Sequence, residues 1–169
     1  IQRWLRTYEQ ALETGDWDAM REFFAPDMVF EDRRSLNRLS GGLDLLMDAA
    51  RERAAMGARA RARLAGTAGD RICVLRILWW GGPSGGRYEI EYLSVHEVDE
   101  RGRITAMLVF DVDDDRAARR EAWRRWAAIE PALADNLAMA AAAEDACNAQ
   151  DWSRLRALYA DGLVVVDPV

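Results

Sequence analysis

Residues 15–33 read GDWDAMREFFAPDMVFEDR, and residues 150–168 read QDWSRLRALYADGLVVVDP. At an offset of 135, Asp16, Trp17, Arg21, Ala25, Val29 and Asp32 meet Asp151, Trp152, Arg156, Ala160, Val164 and Asp167. Apolar positions match too: Met20 with Leu155, Phe23 with Leu158, Phe24 with Tyr159, Met28 with Leu163, Phe30 with Val165. The match runs through varied sequence without low-complexity filler. A period this close to a domain's size points to tandem domains, because solenoid repeats are only ~20–50 residues long. The first copy reads as complete. The second stops after its first strand, at Pro168-Val169, and the chain opens on Ile1. The expectation is a piece of a longer protein: a whole domain at 1–112, a linker helix at 113–135, and the truncated N-terminal part of a second copy at 136–169.

Outward from this repeat, hydrophobic periodicity assigns the elements. Trp4, Leu5, Tyr8 and Leu12 recur at helical spacing and predict a helix over about 1–14, ended by Gly15. Asp16 is a good N-cap for a short helix over 17–24 with Trp17, Met20, Phe23 and Phe24 on its apolar side. Pro26 and Asp27 break that helix, and Met28 to Asp32 reads as a strand. A polar loop through Ser40-Gly41-Gly42 leads to a helix over 43–56. After Gly57 the period falls from 3.6 to 2. Arg59, Arg61 and Arg63 alternate with Ala60, Ala62 and Leu64, as in a strand with one wet face. Ile72 to Trp80, Tyr88 to Val98 and Ile104 to Val112 read as further strands. They are joined by a glycine-rich hairpin at 81–86 and a tight turn at Glu100-Arg101-Gly102. Asp113 to Asp115 favour the start of another helix, which carries Trp123 and Trp126 among arginines. Leu133 to Asn148 and 152–159 repeat the first two helices.

Composition narrows the class. Hydrophobic residues make up 50% of the chain, which excludes a disordered one. No apolar run approaches the ~20 residues of a membrane-spanning helix, and no signal segment opens the sequence, so a cytoplasmic chain without membrane partners is expected. The net charge is −6, and every basic residue is an arginine. An acidic chain repels phosphate backbones, so no nucleic-acid partner is expected. Cys73, Cys147 and the one histidine have no metal-ligand spacing, and the expectation is no metal and no cofactor. Both cysteines read as buried, reduced thiols. Phosphate loops and nucleophile elbows are absent from the sequence.

Helix–GDWD–helix–FED, then a helix and a four-strand meander carrying Gly102-Arg103-Ile104 and Phe110-Asp111, resembles the nuclear transport factor 2-like superfamily, in particular its SnoaL-like branch. The similarity spans residues 4–112 and resumes at about 137–169. It implies an α+β fold: a cone-shaped, curved sheet wrapped around long helices, with a pocket inside. The stretches EDRR at 31–34 and VFDVDD at 109–114 are also similar to tandem domains of this class in large actinobacterial regulatory proteins. Superfamily members include ketosteroid isomerase, polyketide cyclases and many non-catalytic binding domains, so the fold does not decide the function.

The resemblance also implies candidate site residues. The catalytic tyrosine of ketosteroid isomerase, seven residues before the helix-joining glycine, falls on Tyr8. Its general-base aspartate, in a Val-Glu-Asp after the first strand, falls on Asp32 of Phe30-Glu31-Asp32. Its second oxyanion donor, a neutral aspartic acid, falls on Ser94, so one donor is lost. His96 shares a strand face with Tyr92 and Ser94, and a neighbouring Asp32 or Asp111 would make it an acid–base candidate. Trp17, Phe30, Trp80, Tyr92, Ser94 and Phe110 are the expected pocket lining. Each has a plainer reading: Tyr8 on an apolar helix stripe is core, Asp32 is a strand-end cap, and His96 is a hydrogen-bonded core residue. The leading expectation is a tandem module that binds a small apolar ligand or makes domain–domain or homo-oligomer contacts through its sheet. The alternative is a cofactor-free acid–base enzyme acting on an apolar ketone-type ligand.

Overall fold

Helix α1 (Gln2–Thr14) stops where Gly15 adopts φ +75° and its N–H returns to the Ala11 carbonyl at 2.9 Å. A left-handed residue at this place is a common helix terminator, and glycine adopts it without steric cost. Asp16 then caps α2 (Trp17–Arg21), accepting the Ala19 N–H at 3.2 Å. In the computed structural model, residues 2–82, 88–160 and 162–163 are described. They fall into two units, Ile1–Trp126 and Ala127–Val169.

In the first unit six strands form one sheet in the order β2-β1-β6-β5-β4-β3. They are β1 (Phe24–Asp32), β2 (Leu39–Gly41), β3 (Arg59–Ala68), β4 (Ile72–Gly81), β5 (Tyr88–Val98) and β6 (Ile104–Asp111). Strands β3 to β6 make an antiparallel meander, and β1 lies parallel to β6. Helix α3 (Leu43–Ala55) buries Leu46, Met47 and Ala50. The fold is the expected α+β cone.

Two local readings are corrected. The second helix ends at Arg21 rather than near 24, and β1 already begins at Phe24. Pro26 is tolerated because the pairing jumps from Phe24 opposite Ile104 to Val29 opposite Ala106. The missing proline N–H falls in that gap, where no ladder bond is required. The loop expected before α3 contains β2, whose three residues pair antiparallel with Phe30–Asp32. A strand this short carries too few residues to show alternation.

Period-2 geometry sorts the sheet into two faces. Phe30, Ile77, Trp79, Tyr92, Met107 and Val109 face inward and pack with Trp4, Tyr8 and Ala11 of α1 and Met47 and Ala50 of α3. Leu93, Val95, Leu108 and Phe110 point the other way and are also buried. That outer side is met by α4 (Asp115–Ile129), which buries Ala118, Glu121 and Ala122. Arg125 reaches Glu97 of β5 at 2.6 Å, and Arg33 reaches Glu121 at 3.2 Å. A small-residue stripe of Ala118 and Ala122 and one buried carboxylate, Glu121, hold α4 there, and Trp126 sits over Gly69.

The second unit contains a 3-10 turn (Pro131–Leu133), α5 (Ala134–Asn148) and α6 (Trp152–Ala157). Its local geometry reproduces that of α1–α2. Gln150, matching Gly15, also has positive φ, at 54°. Asp151, matching Asp16, caps α6 by accepting the Arg154 N–H at 2.9 Å. Ala146 is fully buried, as is the matching Ala11. The expected strand through Val164 and Asp167 lies outside the described residues.

Candidate functional site

At the end of β1 the chain turns through 33–38 and back into β2, and Asp32 is 5% exposed at that corner. Arg34, in the bend two residues on, grips its carboxylate with a two-pronged fork. Nε donates to Oδ1 at 2.9 Å and Nη2 to Oδ2 at 2.6 Å. Asn37 Nδ2 adds a bond to Oδ2 at 2.9 Å, and the Arg34 backbone N–H one to Oδ1 at 3.2 Å. Burial pushes the Asp32 carboxyl up, but the Arg34 and Asn37 bonds outweigh it and hold it below the usual aspartate range. The same guanidinium lies over the Tyr92 ring, 5.0 Å from its centroid. Asp111 holds the turn itself, accepting the Ser35 N–H at 2.9 Å.

Tyr8 and Asp32 line one inner cavity with Phe30, Arg34, Arg53, Trp79 and Tyr92. The cavity holds only ≈ 30 Å³. That is room for roughly one water. Tyr8 stands edge-on to Trp79 and tilted against Trp4. Burial drives its hydroxyl far above the usual tyrosine range, and the nearby Arg53 opposes this only in part. Trp79 Nε1 donates to the Tyr92 hydroxyl at 2.8 Å, and Arg53 lies over the Trp79 ring.

His96 is brought to a different place. It pairs across the sheet with Cys73 and Met107, whereas Asp32 sits opposite Val109. Its Nε2 is 2.8 Å from Ser94 Oγ, and the Trp4 ring meets it edge-on. Burial lowers its pKa to about 3, which keeps the ring neutral. His96 borders a second cavity, of ≈ 550 Å³, with Trp4, Cys73, Val98 and Ile104; Tyr8 and Asp32 do not line it.

Of the expected lining residues, Phe30 and Tyr92 face the inner cavity. Ser94 is buried one step further along β5. Trp17 is half-buried against the core. Trp80 and Phe110 lie on the outer face: Trp80 pairs with Arg59 and Glu89, and Phe110 carries Arg33 over its ring. Trp79 takes the place expected of Trp80, because adjacent strand residues point to opposite faces. Sequence reading missed Arg34 and Arg53. The closeness of Asp32 and Arg34 in the sequence, just past the strand end, was the available signal for the first. Cys73 is buried, with its thiol pushed up to about 11 by burial, but Cys147 is exposed, against expectation. Among the described residues no three His, Cys, Asp or Glu side chains gather to hold a metal. No helix there is long and apolar enough to cross a membrane.

Residues 4–107, more than half of the chain, match the SnoaL-like domain family. No curated protein sequence matches the chain. Among solved structures it is similar to SalBIII, an epoxide hydrolase/cyclase-like enzyme in pyran ring formation of the polyether salinomycin. The identity is 16% and the TM-score 0.53, covering 64% of this chain and 88% of that one. It is also similar to RV0760c from Mycobacterium tuberculosis in complex with estradiol-17beta-hemisuccinate, at 14% identity and TM-score 0.52 over 64% and 90% of the two chains. An NTF2-like protein of unknown function from Exiguobacterium sp. 255-15 gives 12% and 0.53 over 64% and 93%. At these identities the likeness is one of fold.

Proposed function

We propose that this chain, which belongs to the SnoaL-like domain family, is a non-catalytic interaction module of a larger cytoplasmic protein of actinobacterial type, with residues 136–169 opening a second copy of the domain. The observation that carries the reading is the engagement of Asp32. A general base needs a free lone pair aimed at substrate and a pKa near the working pH. Arg34 and Asn37 occupy both carboxylate oxygens and keep the group ionised. The cavity beside it is nearly filled, and the neutral His96 is hydrogen-bonded to Ser94 rather than to a carboxylate. The tandem part rests on the 135-residue repeat and on the matching turn at Gly15-Asp16 and Gln150-Asp151.

The second reading, an acid–base enzyme acting on an apolar ketone-type ligand, draws on the cavity shared by Tyr8 and Asp32. It requires Asp32 to be released from its fork and its carboxyl to rise. NMR titration of the Asp32 carboxyl, with Asp32→Asn as the assignment control, separates the two. The module reading expects a midpoint below the ordinary aspartate value of 3.8. A midpoint above it would overturn that reading in favour of the enzyme.

A further inference from the structure

Strand β3 is the outer strand of the sheet, hydrogen-bonded on one side only. Its first six residues pair without interruption, from Arg59 opposite Trp80 to Leu64 opposite Leu75, before a bulge at Ala65 shifts the register. Along this stretch Arg59, Arg61 and Arg63 are exposed on the outer face. None of the three makes an ion pair among the described residues. By contrast, Arg76 on the neighbouring strand is taken up by Glu91, through bonds of 2.7 and 2.9 Å. Beside the three arginines lie half-buried Leu78 and Trp80. On the inner face of the same stretch Ala60 and Ala62 are half-buried and Leu64 is 61% exposed. An unpaired row of backbone N–H and C=O groups thus runs between a column of three exposed arginines, of which Arg63 also bears on Glu91, and an apolar column open at Leu64.

We propose that the Arg59–Leu64 edge receives an extended acidic segment as a seventh strand. Its alternate carboxylates stand against Arg59, Arg61 and Arg63, and its intervening apolar side chains lie over Ala60, Ala62 and Leu64. Backbone hydrogen bonds supply the affinity, and the alternation of charge and apolar contact supplies the register. A second copy of the same edge does not fit, because antiparallel pairing would set arginine against arginine, and like charges directly opposite are destabilising. Nucleic acid would satisfy the arginines alone. It would leave the backbone edge and Leu64 uncovered, and a chain of net charge −6 repels it at longer range. The proposal rests on reading the first unit as an interaction module; Ala60 and Ala62 also line the inner cavity, but Arg59, Arg61, Arg63 and Leu64 do not, and the test varies only the arginines.

The test is fluorescence anisotropy of the intact chain with a labelled peptide alternating Glu and Val over about seven residues, enough to span the edge at ~3.3 Å per residue. The comparisons are a Lys/Val peptide, an N-methylated Glu/Val peptide and a thymidine oligonucleotide. The expected result is saturable binding of the Glu/Val peptide, weakened by salt and by about tenfold or more in Arg61→Glu. N-methylation of alternate amides abolishes binding, and the Lys/Val peptide and the oligonucleotide bind far more weakly. Thermal melts of Arg61→Glu and Arg59→Glu check that the fold survives. Failure to bind, indifference to N-methylation, or tighter binding of the oligonucleotide overturns the proposal. The Asp32 titration is unaffected by any of these outcomes, so the two readings fail separately.

Discussion

Asp32 and Arg34 stand two positions apart in the EDRR stretch, and that spacing decides what Asp32 can do. The bend after β1 brings the guanidinium back onto the carboxylate, bidentate and only 13% exposed. Arg34→Ala should be costly, because it strands a buried carboxylate. Removing one member of a buried pair costs about 3 kcal/mol or more. Urea denaturation at neutral pH is the measure. The pH dependence fixes the cause. Asp32 has a depressed folded pKa, so its contribution is present above the unfolded value of about 3.8 and disappears as pH falls through the folded one. The deficit of Arg34→Ala should therefore shrink in acid, and a deficit that stays constant with pH would point to lost packing instead. The sequence placed Asp32 at the strand end and allowed a capping role there. It did not name the capping groups, because an arginine two residues away is equally at home in solvent. His96 was read inward correctly. Its separation from Asp32 depends on the registers of β1 and β5 against β6, where Asp32 meets Val109 and His96 meets Met107.

Helix α4 shows the same logic over a whole element. Its one buried charge, Glu121, receives Arg124 and Arg125 from its own helix and Arg33 from beyond β1. Burial raises its pKa, but the hydrogen bonds and charges of Arg124 and Arg33 win and lower it from 4.5 to about 2. A depressed acid stabilises the fold above its unfolded pKa and loses that contribution as pH falls toward the folded one. The full difference corresponds to about 3 kcal/mol at most. Glu121→Gln should be less stable than the parent at neutral pH. Its stability should stay flatter as acid is added below pH ~4.5, with the two curves meeting near pH ~2. Urea midpoints at several pH values check this, and parallel curves would remove Glu121 from the account of how α4 is held. Among elements, the long strands and helices were legible because each shows its period over several residues. Strand β2 was not, having three residues, and neither was the start of β1, where proline normally argues against a strand.

At the scale of the whole molecule, positions that match across the repeat are buried differently. Trp4, Phe24 and Met28 of the first unit are at most 7% exposed, beneath or within its sheet. The corresponding Met139, Tyr159 and Leu163 are 41%, 42% and 53% exposed, and Trp152, matching half-buried Trp17, is 63% exposed. Helices this short are marginal in water, because most helical stability comes from packing an apolar face. Hydrogen exchange on this chain should therefore separate two classes of amide. Those of β4, β5 and β6 should exchange only through global unfolding. Those of α5 and α6 should exchange through local opening many times faster, in spite of the Asp151 cap. Protection of α5 and α6 equal to that of the central strands would contradict this and would mean that their apolar positions are covered. The shared turn at 15–17 and 150–152 was legible in the sequence because such a turn favours a left-handed position followed by a capping aspartate. How much apolar surface each segment leaves open was not, since burial depends on strands many residues away rather than on the residues that match.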